Sequence, residues 1–171
     1  MGTEVLNKLA TYLTFNIMQE VYALDVLKVK EVLELTKITK VPKTPRFMRG
    51  VINLRGSVVP VVDLKYKFGM GDTEETIHTC IIVMEVAIDN EVKVIGAMAD
   101  AVKEVINLEP DQIEPSPYLG TKVDIEFIQG VGKVGEEFVI ILDIDKIFSD
   151  EEFEAVSSTA VSVGEDKQKE K

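Results

Sequence analysis

Few residues in this chain are equipped for catalysis. His78 is the only histidine and Cys80 the only cysteine. A His-based triad, a zinc site and an internal disulfide therefore lack raw material. Cys80 lies in the apolar run CIIVMEV, where a thiol reads as a buried, inert core residue. The glycines of Gly130-Val131-Gly132-Lys133-Val134-Gly135 match G-x-G-x-x-G, which cradles a pyrophosphate when a strand precedes it and a helix follows. Here EEFVIILDID follows, a strand pattern, so the glycines fit a turn and a close backbone approach better. A nucleotide-binding enzyme is thus the weaker reading. Asp143 and Asp145 would share one face of a strand. Paired-carboxylate catalysis needs one of them desolvated, and a solvated strand end accounts for both.

The remaining candidate is a cation. Arg55 interrupts the mostly apolar stretch Gly50–Gly69, GVINLRGSVVPVVDLKYKFG. The element around it reads as a hairpin with Arg55-Gly56-Ser57 at its tip, where a guanidinium is easily exposed. Pro60 cannot donate to a ladder, which points to an edge or a bulge. Val58, Val59, Val61 and Val62 make both faces of that strand apolar, so a loop or a partner is expected to cover it.

Further such elements fill the chain. YLTFNI, VYALDV, VLELTKI, FMRGVINL, VVPVVDL, CIIVMEVAI, VKVIGAM, KEVINL, FIQGVGKV and FVIILDI read as strands separated by turn residues. About ten closely spaced strands predict an all-β barrel or sandwich. Helical signals are confined to residues 4–11, to short turns at Asp25–Lys28 and Glu109–Ile113, and to a C-terminal helix at Ser149–Val156, opened by a Ser149/Glu152 capping box. The final SSTAVSVGEDKQKEK reads as a disordered tail.

The chain also repeats. Val29–Leu35 (VKEVLEL) returns as Val102–Leu108 (VKEVINL), a shift of 73 residues, and Phe47-x-x-Gly50-Val51 returns as Phe127-x-x-Gly130-Val131, a shift of 80. Asp63 likewise matches Asp143, and Arg55 falls opposite Gly135. Two copies of a five-strand unit are expected, each hairpin first, packed on each other because neither has much core alone. Glu31 and Glu104 match, as do Val29 and Val102. The valines are core residues or border a common groove.

Composition bounds the partners. Of 171 residues, 46% are hydrophobic, and 19 basic against 30 acidic residues give a net charge of −11. That field repels nucleic acid and anionic membrane. No run approaches the roughly 18 apolar residues of a spanning helix, and no signal-peptide pattern opens the chain. A cytoplasmic protein is expected.

The stretch TPRFMRGVINLRGSVVPVVDLKYKFG, with YALDVLKVKEV before it and VIGAMADAVKEVINLEPDQIEPSP and GVGKVGEEFVIILDIDKIF after it, resembles the CheW family of chemotaxis coupling proteins. The resemblance spans about residues 10–150. It implies two SH3-like five-stranded β-barrel subdomains on a shared core, within a domain at 10–155 followed by a tail at 157–171. It implies a non-catalytic adaptor, without cofactor or metal, that links chemoreceptor cytoplasmic hairpin tips to the histidine kinase CheA through the kinase's own CheW-like regulatory domain. A scaffold of a non-motility chemosensory pathway would carry the same residues. By the same resemblance, Val26, Val29, Glu31, Arg55 and Val102 line the receptor groove, Val58 and Val59 meet the kinase, and Glu114 and Leu119 form a second kinase contact. At the last two positions the chain departs from the family pattern, having Leu119 for an aromatic and Glu114 for a basic residue. The chain has no room for the kinase's phosphotransfer and ATP-binding domains.

Overall fold

The computed structural model describes residues 10–88, 90–115 and 127–147. Eleven strands dominate them: β1 Ala10–Ile17, β2 Glu20–Asp25, β3 Val29–Glu34, β4 Met48–Leu54, β5 Ser57–Asp63, β6 Cys80–Ile88, β7 Glu91–Ala99, β8 Ala101–Leu108, β9 Ile113–Pro115, β10 Ile128–Val134 and β11 Glu137–Leu142. Two one-turn helices, α1 Leu64–Lys67 and α2 Ile144–Ile147, and two 3-10 turns, Val26–Lys28 and Pro110–Gln112, join them. Each predicted strand is present. The short β9 follows the 3-10 turn at 110–112, and α1 and α2 were not foreseen. Of the expected 4–11 helix, residues 10 and 11 lie in β1 and the others lie outside the described residues, as do the C-terminal helix and the tail.

The strands form two sheets, β3-β6-β7-β5-β4 and β8-β1-β2-β11-β10-β9. This corrects the frame of the repeat. The unit begins at VKEV and ends with the hairpin. The first sheet takes β3 to β7 in one continuous run, whereas the second takes β8 to β11 and is completed by the N-terminal hairpin β1–β2. The sheets correspond strand for strand, and the isolated bridge Thr39–Val51 stands where β9 pairs with β10.

Three apolar clusters explain the unbroken hydrophobic runs. Along β6, Cys80, Ile82, Met84 and Val86 point into a core shared by both sheets, while Ile81 and Val83 fill a core belonging to the first sheet alone. Side chains alternate across a strand, so a strand buried on both faces must be apolar throughout. The second sheet does the same, with Leu13, Phe15, Ile17, Tyr22 and Leu24 in the shared core, and Tyr12, Ala23 and Ile141 in its own. Fully burying each large side chain contributes about 1.5–3 kcal/mol.

Both repeated motifs encode bulges. The β4–β5 register shifts between Met48 and Gly50, and the β10–β11 register between Ile128 and Gly130. In VKEV the shifts fall between Val29 and Glu31 and across Lys103. Pro60 is not on a sheet edge: β4 pairs with β5 along its length, and β7 joins from Val61. The proline stands just before that second ladder begins, where a missing N–H costs it nothing. Asp143 and Asp145 do not share a strand face either, because β11 ends at Leu142 and Asp145 lies in α2.

Candidate functional site

Arg55 sits at the tip of the β4–β5 hairpin, with Leu54 opposite Ser57. Its φ is 51° and that of Gly56 is 88°. Two left-handed central residues match the right-handed strand twist of a tight hairpin. The Asn53 side chain closes the turn, its Oδ1 accepting from the Gly56 N–H at 2.8 Å. Gly135, the equivalent of Arg55, has a φ of 63°, so the position demands left-handed backbone in both copies. Glycine meets that demand freely, while an arginine there is strained.

The guanidinium forks onto Glu31. Arg55 Nη1 donates to Oε2 at 2.8 Å and Nη2 to Oε1 at 3.0 Å. Arg55 nonetheless keeps 73% of its side chain exposed, against 26% for Glu31, so the cation is oriented and still accessible. The hydrogen bonds from Arg55 hold the Glu31 carboxyl below the usual glutamate range, and Glu31 in turn pushes the guanidinium up. Glu31 and Glu104 are not equivalent in use. Glu104 is engaged through its backbone, whose N–H and carbonyl both bond the Thr14 hydroxyl.

Val26 opens the 3-10 turn that the Asp25 carboxylate caps through the Leu27 N–H. Val29 follows at the start of β3. Val29 and Val102 are half-buried and pack against the shared core, so each is a core residue with an exposed flank. Among the second set, Val58 is half-buried against the shared core, whereas Val59 is only 3% exposed. Val59 itself therefore offers almost no surface, backbone or side chain. Glu114 is exposed on β9, and Leu119 lies outside the described residues.

A buried ionic knot went unread in the sequence. Asp63, fully buried, accepts from the Thr73 N–H at 2.8 Å, the Thr73 hydroxyl at 2.6 Å and Arg49 Nη1 at 3.2 Å. Arg49 is the bulged residue of β4, and the bulge turns it toward Asp63. The signal was present in F-x-x-G-V, since a bulge re-aims the side chain it carries.

The glycine-rich segment runs along β10 into a hairpin turn, and β11 rather than a helix follows. A Cβ on Gly130 would lie 2.9 Å from the Glu114 carbonyl oxygen, and one on Gly132 2.7 Å from Leu108 Cδ1. Close packing accounts for both. Burial raises the Cys80 thiol pKa, as expected of an inert thiol. Among the described residues no cluster of three or more His, Cys, Asp or Glu is placed to hold a metal, and no helix is long and apolar enough to cross a membrane.

A sequence profile of the CheW-like domain matches residues 11–152. The chemotaxis protein CheW of Klebsiella aerogenes is 34% identical over 151 residues, covering 88% of this chain and 89% of the relative. That of Thermotoga maritima is 32% identical over 141 residues, covering 81% and 87%. Among solved structures, the scaffolding protein TtCheW of Thermoanaerobacter tengcongensis superposes with a TM-score of 0.74 at 36% identity, covering 84% of this chain and 90% of that one. The chain belongs to the CheW family of non-catalytic chemotaxis scaffold proteins.

Proposed function

We propose that this scaffold couples the cytoplasmic hairpin tips of chemoreceptors to the histidine kinase CheA, engaging the kinase through its CheW-like regulatory domain. Val26, Val29, Glu31, Arg55 and Val102 form the receptor groove; Val58, Val59, Glu114 and Leu119 belong to the kinase contacts. The observation that carries the reading is Arg55: an exposed arginine in left-handed backbone where the repeat has glycine, its fork fixed by Glu31. Strain that folding does not require is a mark of function. The oriented guanidinium suits a carboxylate or carbonyl at the end of a helical hairpin, and the flanks of Val29 and Val102 add apolar contact. Two binding surfaces on one rigid body raise the local concentration of kinase at the receptor.

Co-sedimentation of a receptor fragment, the kinase and this chain tests it. Arg55→Ala is expected to weaken receptor binding about tenfold or more, the loss of a charge-assisted hydrogen bond of about 1.5–3 kcal/mol, while kinase binding persists. Unchanged receptor affinity in a natively folded variant rejects the assignment.

A further inference from the structure

The side chain of Asp145 joins three elements. Its Oδ2 accepts from Lys28 Nζ at 2.8 Å, and its Oδ1 accepts from the Ala87 N–H at 2.8 Å. Lys28 closes the 3-10 turn between Val26 and Val29. Ala87 lies toward the end of β6, beyond the reach of β3, whose pairing with β6 starts with Val29 opposite Met84. Without Asp145 that N–H would have no ladder partner on this side. Asp145 itself belongs to α2, which follows β11 of the second sheet. A single carboxylate on α2 of the second subdomain thus fastens it to β6 of the first and to the 3-10 turn that leads into Val29.

We propose that the Lys28–Asp145 pair is a latch that sets the spacing of the receptor groove, making Asp145 a positioning residue for receptor engagement. The inference rests on the groove assignment above. With side chains 35% and 31% exposed, the pair adds little to stability as a surface ion pair. Its consequence is geometric: it holds Val26 and the start of β3 at a fixed place against α2.

The carboxylate's two duties can be separated. Lys28→Met and Asp145→Asn each remove the ion pair, but the amide of Asp145→Asn keeps an oxygen for the Ala87 N–H, whereas Asp145→Ala removes both. In titrations of the full chain against a receptor fragment, Lys28→Met and Asp145→Asn should each weaken binding about three- to tenfold. The double variant should lose no more than either single, because the pair acts as one unit. Asp145→Ala should lose more, and Lys28→Arg should bind like the parent. Kinase affinity, measured in parallel, should hold. Full receptor affinity in Lys28→Met and Asp145→Asn, additive losses in the double, or equal losses toward receptor and kinase each overturn the latch. Arg55→Ala in the same titration separates the two claims. If it too leaves receptor affinity intact, the groove assignment has failed; if it weakens binding while the latch variants do not, only the latch has.

Discussion

Arg55 holds its backbone at a φ of 51°, a region that costs a residue with a Cβ about 1–2 kcal/mol. Its fork to Glu31 is exposed and offsets little of that. Arg55→Gly should therefore match or exceed the parent in thermal midpoint while losing receptor binding, a separation of stability from function that a merely structural arginine would not give. A clear fall in midpoint would mean that the turn needs the side chain. The same pair predicts a titration. The folded Glu31 carboxyl has a depressed pKa, so the fork's contribution is present above the unfolded glutamate pKa and is lost as pH falls through the lower folded value. Carboxyl-carbon NMR should find Glu31 titrating below ordinary glutamates, and rising toward them in Arg55→Ala. The hairpin position of this cation was legible in the sequence from its flanking strands and its glycine counterpart. Glu31 was legible as a repeated residue and, through the family resemblance, as a groove residue, but its pairing with Arg55 was not, because nothing local shows which of two equivalent glutamates meets an arginine.

At the level of elements, strand identity was plain because strands buried on both faces must be apolar and largely β-branched. What the bulges do was hidden. VKEV and F-x-x-G-V recur because each inserts one residue into a ladder, and the inserted residue need not recur: Arg49 is answered by Gln129. The one-turn helices were missed for a related reason. Asp63 reads as a polar strand end, but its carboxylate accepts from the Tyr66 N–H and opens α1. Bulge geometry makes a stability prediction. At Gly50 φ is +146° and an added Cβ would collide with the Thr39 carbonyl, a fixed backbone atom. At Gly132 the tight contact would be with the far end of the Leu108 side chain, with Ile141 Cδ1 at an ordinary 3.7 Å. Gly50→Ala should cost about 2–4 kcal/mol, since backbone strain and steric conflict add, and Gly132→Ala distinctly less. Urea denaturation ranks the two, and equal costs would show that the bulge yields.

For the whole molecule, the repeat was visible but its frame was not. A cyclic unit read along a chain can be cut anywhere, and only strand pairing shows that the N-terminal hairpin closes the second sheet. This arrangement has a consequence for folding. The last strand described, β11, pairs with β2 of the N-terminal hairpin, so the second sheet closes only when segments from both ends of the described chain are in place, and the shared core draws on both sheets. Aromatic rings run through it: Phe15 to Tyr22 at 6.0 Å, Tyr22 to Phe68 at 5.7 Å and Phe68 to Phe127 at 6.2 Å. Phe68, 5% exposed, follows α1 on the segment between β5 and β6, whereas Tyr22 and Phe127 belong to the second sheet and its approach. Phe68→Ala should cost about 3–5 kcal/mol, the usual penalty for emptying a buried aromatic site. Because both subdomains lean on that ring, the loss should fall on the molecule as one unit. Far-ultraviolet circular dichroism should report one transition coincident with that of tyrosine fluorescence, shifted down equally in the variant. Two separated transitions in the parent, or a shift confined to one signal, would mean that the subdomains fold independently, and a scaffold with loosely joined halves could not hold a groove between them at fixed width.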